Sequence, residues 1–215
     1  MKLVIQLLLW VVILVLGYLV FKSIYEPTQF NDIKEERYAK VVERLEDIRD
    51  AELAYREVTG RFTGSFDSLT TFLDTAQFVL TQRRDTTVLD VEYQRIYGVD
   101  KWIEQVVIDT LGYSSVKDSL FANENYENLR YVPIEGVDAE FELEAGMLPV
   151  NQTMIPVFEA KVAKEVVLFD QNSDLVRMEE QVIAADQIGG AYISVGSMEE
   201  VNTSGNWPTL YGSGE

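Results

Sequence analysis

No cysteine and no histidine occur among the 215 residues. Without cysteine there is no disulfide, no thiolate nucleophile and no thiolate metal site. Without histidine the commonest catalytic base and the commonest transition-metal ligand are both missing. Ser-His-Asp and Cys-His catalysis are thereby excluded, and any reaction would have to run on carboxylates, Lys, Tyr or Ser. Positive charge is also scarce: 18 Lys and Arg stand against 36 Asp and Glu, for a net charge of −18. Such an excess of carboxylates repels phosphate backbones, so nucleic acid is not an expected partner. It suits solubility, or attraction to basic partners and divalent cations.

Apolar side chains are plentiful, at 47% with 11% aromatic, which is enough for a packed core. The most concentrated stretch is "LLLWVVILVLGYLVFKSIYEP". Residues 3–21 carry no charge, and Gln6 is the one amide among them. At the helical rise they span roughly 28 Å, close to the hydrocarbon thickness of a bilayer. A cleaved export signal has a shorter apolar region and small residues at its exit. Here the exit reads Phe21-Lys22-Ser23-Ile24-Tyr25. Residues 1–22 are therefore expected to be a retained transmembrane anchor containing Leu3, Trp10, Gly17 and Phe21, with Trp10, in mid-span, set to face a partner helix rather than an interface belt. Lys22, Lys34, Arg37 and Lys40 follow the span, which by positive-residue counting favours a cytoplasmic C-terminal side. Glu26, Asp32, Glu35 and Glu36 dilute that signal, and a tail of two residues is an awkward segment to translocate. The expected orientation keeps the N-terminus inside and exports the acidic domain.

Glu26-Pro27 predicts a bend or helix restart. Over residues 23–60 the periodicity is helical: Tyr38, Val41, Leu45, Ile48, Ala51 and Tyr55 recur at spacings of three and four, and the rest is charged. The simplest role for this stripe is packing on the protein's own sheet; the alternative is a seam for partner helices. Gly60 is placed to cap the helix. Residues 61–127 read as mixed. "GRFTGSFDSLTTFLDT" holds a short helix, and "FVLTQ" and "TTVLDVEYQ" suit strands on either side of an Arg83-Arg84-Asp85 turn. "DKWIEQVVIDTLGY" suits a helix ended by Gly112, and "SSVKDSLFANENYENL" a helix running into a loop. From residue 128 to 197 the period becomes two. "LRYVPI", "AEFELEAGML", "PVFEAKVAKEVVLFD" and "GAYISVG" predict an antiparallel sheet whose wet face carries Glu140, Glu142 and Glu144. "DLVRMEEQVIAADQIGG" fits neither period cleanly. Residues 198–211 form a polar tail, and 212–215 resemble an engineered linker.

The order of greasy helix with interior glycine, proline, long amphipathic helix, loop and antiparallel sheet resembles the type IV pilins and type II secretion pseudopilins. The resemblance rests on "VVILVLGYLVFKSIYEP", with Gly17 and Pro27, running into "VVERLEDIRDAELAYREVTGRFTGSFDSL". It covers residues 3 to about 75, and beyond them only a general β-rich character. It implies an α+β, pilin-like fold and a structural subunit of an envelope-spanning secretion, pilus or motility-type assembly. It further implies a single-pass protein of the bacterial inner membrane, a periplasmic C-terminal domain and a hetero-oligomeric set of protein partners. Two family features are missing. No basic leader with a Gly-Phe junction precedes the apolar run, and the family's acidic helix position falls on Leu8. A fixed membrane subunit, neither processed nor polymerised in the usual way, is what these departures imply. An anchored periplasmic adaptor for one partner is the alternative.

Candidate chemistry is thin. Asp170, Asn172 and Asp174 have the D-x-N-x-D opening of a calcium loop, but Leu175 and Gln181 stand where glycine and bidentate glutamate are needed. A turn or helix cap is the plainer reading. Pseudopilins often hold calcium in a C-terminal loop, and Glu199, Glu200, Asn202 and Asn206 are the nearest counterpart here. Asn151 and Asn202 begin sequons that carry no weight in a bacterium. Trp102 and Trp207 are expected in the core or as lids. The expectation is a non-enzymatic protein with no required cofactor.

Overall fold

A computed structural model describes residues 2–121, 126–182, 187–208 and 211. The expected linker at 212–215 lies outside the described residues. The architecture is α+β: one long N-terminal helix, short helices and two small antiparallel sheets. The chain divides into two compact units, Met1–Phe66 with Glu127–Glu215, and Asp67–Tyr126.

In the first unit, helix α1 spans Lys2–Thr59, 58 residues without a break. The expected restart at Glu26-Pro27 does not occur, and the helix runs through Pro27. Proline withholds one N–H from the ladder and costs a helix interior about 3 kcal/mol. Helix already nucleated on both sides carries the chain across. Every residue from Gln6 to Phe21 is exposed, whereas burial begins at Phe30 and recurs at Tyr38, Val41, Leu45, Ile48 and Ala51, with Tyr55 half-buried. The stripe lies on the protein's own sheet, against β4 and β5 (below). The helix ends where Gly60, at φ 80°, turns left-handed and donates its N–H to Arg56 O at 2.8 Å.

The sheet under α1 has the order β3 (Glu142–Val150), β4 (Thr153–Ala163), β5 (Tyr192–Gly196), antiparallel throughout. Asn151 and Gln152, both at positive φ (47° and 72°), make the two-residue turn between β3 and β4. That double left-handed turn matches the strand twist and fixes the register Val150↔Thr153. Phe158, Ile193 and Val195 point inward, and Phe62 meets the Phe158 ring at 4.7 Å between centroids. Helices α5 (Lys164–Val167) and α6 (Ser173–Glu180) fill the connection from β4 to β5. "LRYVPI" forms no strand. It contributes a single bridge, Tyr131↔Glu140, because Pro133 has no N–H to donate and Gly136 turns at φ 84°.

The second unit contains most of α2 (Phe66–Thr75) and a long ribbon of β1 (Gln77–Leu89) and β2 (Trp102–Ser115), joined by α3 (Val91–Tyr97). Two expectations are corrected here. Arg83-Arg84-Asp85 is not a turn but the middle of β1, since it lacks the glycine or asparagine that usually fills the left-handed positions of a tight hairpin. "DKWIEQVVIDTLGY" is not a helix: Ile103, Val106, Val107, Ile108 and Thr110 are β-branched, and β1 supplies a partner strand along the whole length. The real reversal is α3, capped by Asp90, whose side chain accepts from Tyr93 N, and closed at Gly98. Helix α4 (Val116–Leu120) follows β2. Near it, Lys117 donates to the Tyr126 hydroxyl at 2.8 Å, and that hydroxyl donates to Asp74 at 2.6 Å.

Gly196 ends β5 at φ 76°, and a Cβ added there would collide with the Phe158 carbonyl oxygen. Both the left-handed backbone and the clash oppose any side chain. Gly196→Ala is expected to cost about 3 kcal/mol, read by urea denaturation of the full chain in mild detergent. A loss below the error of that measurement would contradict the packing described.

Candidate functional site

The most unusual feature of the first unit is charge inside it. Lys164 is 0% exposed, and Lys34 and Glu179 are buried as well. Lys164 reaches this position by continuing the inward alternation of β4, after Phe158, Ala160 and Val162. Lys34 and Tyr38 come from adjacent turns of α1, and Glu179 sits one turn after buried Val176 on α6. Lys34 Nζ donates to Glu179 Oε2 at 3.0 Å, and Lys164 Nζ donates to Glu179 Oε1 at 3.3 Å. Lys164 also donates to the backbone oxygens of Glu179 (3.0 Å) and Ile188 (2.6 Å). All three of its ammonium protons thus have acceptors. The Tyr38 hydroxyl lies 3.5 Å from Glu179 Oε1. Burial and the nearby carboxylate push that phenol far above its ordinary range. Burial pulls the Lys164 ammonium downward, against the upward pull of Glu179.

One carboxylate thus gathers two ammonium groups from two elements onto α6. Because Lys164 and the Glu179 carboxylate spend their hydrogen bonds within the cluster, the arrangement acts as a lock between α1, the end of β4 and α6. A separate open cavity of about 370 Å³ is lined by Gly136, Val137, Asp138, Glu165 and Phe169, and includes none of the locked residues.

A second buried acid, Glu52, lies on α1 and is 0% exposed. Its Oε2 accepts from Thr63 N at 2.9 Å, tying the loop after the helix back to it. Its Oε1 has no hydrogen-bond partner among the described residues. Burial raises this carboxyl to about 8, with the Thr63 N–H opposing, so at neutral pH it is mostly protonated.

The residues read as calcium candidates have other work. Asp170 takes a bidentate pair from Arg37 (2.6 and 2.9 Å), which holds its carboxyl down to about 2. Asn172 is the N-cap of α6, its side chain accepting from Asp174 N at 3.0 Å, and exposed Asp174 lies 3.9 Å from Arg177. The backbone N–H groups of Glu199 and Glu200 donate to Ser197 Oγ, and Asn202 accepts from Ser204 N. Asn206 clasps Ser194 N and Tyr192 O. Among the described residues, no group of three or more acids is arranged to hold a metal ion. Glu140, Glu142 and Glu144 are exposed, on the wet face expected of them. Trp207 is buried, but Trp102 is 64% exposed and belongs to no core. It lies on β2, at the end of the ribbon where Val91, Ile96, Tyr97 and Val99 are also exposed.

Lys34, Glu52, Lys164 and Glu179 escaped the sequence reading although signals existed. Lys34 and Glu52 fall on the stripe's own spacing of three and four, and Lys164 on the inward period of β4. A charge occupying an apolar position was the mark to look for.

Truncating Glu179 strands two buried ammonium groups, so Glu179→Ala should lose about 3–5 kcal/mol, measured by denaturant titration, with Glu179→Gln intermediate. Loss of less than about 1 kcal/mol would show that the lock carries no stability. Glu52 predicts a pH signature. Its carboxyl titrates near 4.5 when unfolded and near 8 when folded. The folded chain therefore holds the proton more tightly. That stabilisation is complete below about pH 4.5, declines as pH rises and is gone above about pH 8. Relative to Glu52→Gln, which cannot ionise, the parent should weaken steadily between pH 5 and 8 and then level off. A gap that does not change with pH would disprove the buried neutral acid.

No protein-family model, no curated protein and no solved structure matches the chain.

Proposed function

We propose that the chain is a non-enzymatic, single-pass structural subunit of an envelope-spanning secretion, pilus or motility-type assembly. In this reading it is anchored in the bacterial inner membrane, with its C-terminal domain in the periplasm and a pilin-like plan. The observation that carries the reading is α1 itself. It is one helix, long and apolar enough near its N-terminus to cross a membrane, and it changes without a break into a helix buried along one side by a sheet. The bilayer takes residues 3–21, whose backbone from the second turn onward is hydrogen-bonded within the helix, as lipid requires. The lock at Glu179 and the Arg37–Asp170 pair hold the remainder of α1 to α5, α6 and the loop between them, so force on the anchor passes into the folded unit rather than unwinding it.

Partners are other membrane and periplasmic subunits in a hetero-oligomeric complex, and the exposed Glu140, Glu142 and Glu144 suit basic surfaces. No cofactor is needed for this role, and the buried acids and lysines are structural. A tagged chain extracted from native membranes in gentle detergent should co-purify with further envelope proteins in fixed stoichiometry, as read by mass spectrometry. Recovery as a lone monomer would refute the assembly reading. Capture of one partner at one-to-one ratio would identify an anchored adaptor instead.

A further inference from the structure

The β1–β2 ribbon leaves both outer edges unpaired among the described residues, and residues 79–87 of β1 are exposed without interruption. Two strands alone are marginal in water, and an open edge is a template for another strand. The residues of β1 say which strand. Counted outward from Arg84, the chain is a palindrome in chemical class: Arg83 with Asp85, Gln82 with Thr86, Thr81 with Thr87, Leu80 with Val88, Val79 with Leu89. An antiparallel pair related by a two-fold axis through the sheet always sets one residue opposite its own copy, and residue i−n opposite i+n.

We propose that β1 pairs with β1 of a second copy of this chain, with the two-fold axis at Arg84, to give a four-stranded sheet ordered β2, β1, β1, β2. In this register Arg83 of each copy faces Asp85 of the other, so the ion pair that these two make within one strand (3.7 Å) is re-formed across the axis as two. The polar pairs follow, and the apolar pairs Leu80 with Val88 and Val79 with Leu89 close both ends. Arg84 opposes itself, but each Arg84 already has an ion pair with Asp109 on β2 of its own copy, which offsets the repulsion. The register shift inside the ribbon is absorbed by β2, where Leu111 is skipped, so β1 keeps an even count along its free edge. Pairing through β2 is disfavoured, since its only charged residues are the acids Glu104 and Asp109. This self-pairing does not depend on the assembly role proposed above.

The test uses the full chain in detergent, where the absence of natural cysteine leaves no background. Arg84→Cys should crosslink to itself on mild oxidation, because only this position opposes its own copy at disulfide distance. Gln82→Cys and Thr86→Cys should each fail alone and crosslink when mixed. Arg83→Asp and Asp85→Arg should each reduce dimer on the order of tenfold by setting like charges opposite one another. The double variant, or a mixture of the two single variants, should restore it. All these positions are exposed, and unchanged helical circular dichroism would show that folding is intact. No crosslink at Arg84→Cys, or a dimer indifferent to charge reversal, would overturn the proposal. So would a β1 edge occupied by a different protein.

Discussion

A single unbroken helix changes from apolar all round to buried along one side, and the rest of the first unit is arranged around that change. Over residues 6–21 α1 exposes apolar side chains almost all round, over a length sufficient to cross a bilayer. From Phe30 onward one side of the same helix is buried. The change is one of side chains and not of backbone, because the hydrogen-bond ladder serves equally in lipid and in water. A stripe of Tyr38, Val41, Leu45 and Ile48 cannot stand bare in water, so a sheet face of matching size is required. β4 and β5 supply it, with Phe158, Ile193 and Val195. The hairpin at Asn151 and Gln152 fixes which side chains of β3 and β4 face the helix, since a slip of one residue would turn the wrong set inward.

Burying two lysines around one glutamate looks costly against an apolar alternative of equal volume. Desolvating each ion costs several kcal/mol, and pairing recovers that only where the remaining polar atoms are also satisfied. For Lys164 they are: the carbonyls of Glu179 and Ile188 complete it, and Glu179 accepts from both ammonium groups. Apolar contacts alone would let α6 slide along α1. Three directional partners fix one position. Glu52 solves a similar problem differently, by keeping its proton and holding the Thr63 N–H with a neutral acid.

How much of this was legible in the sequence follows from how local each signal is. The long apolar helix, the stripe and the Gly60 cap were readable because they rest on composition, on periodicity or on one residue's backbone preference. Strands β3, β4 and β5 were readable from alternation. The ribbon was not. "DKWIEQVVIDTLGY" places apolar residues at helical spacing, and only the partner strand 77–89, on the far side of α3, decides in favour of β. Pro27 misled because a local penalty of about 3 kcal/mol was weighed without the cooperativity of the helix on either side. The Glu179 lock combines residues separated by 145 positions (Lys34) and 15 positions (Lys164), so its members could be suspected singly but not joined.

Anchoring and edge pairing bear on each other through concentration. A two-residue-wide contact along one strand, with bonds to water surrendered for bonds to a neighbour, gives modest net free energy. In the anchored reading proposed above, confinement to a membrane surface would raise the effective concentration of one ribbon around another without any new contact. The acidic surface works in the opposite sense: two chains of net charge −18 repel, and the repulsion falls off over a Debye length of about 8 Å at physiological salt. The only stretch of β1 and β2 where positive and negative charges adjoin along one strand is Arg83-Arg84-Asp85. The one place where two such acidic ribbons can approach with favourable electrostatics is therefore the centre of β1, and that selects a register as well as a partner.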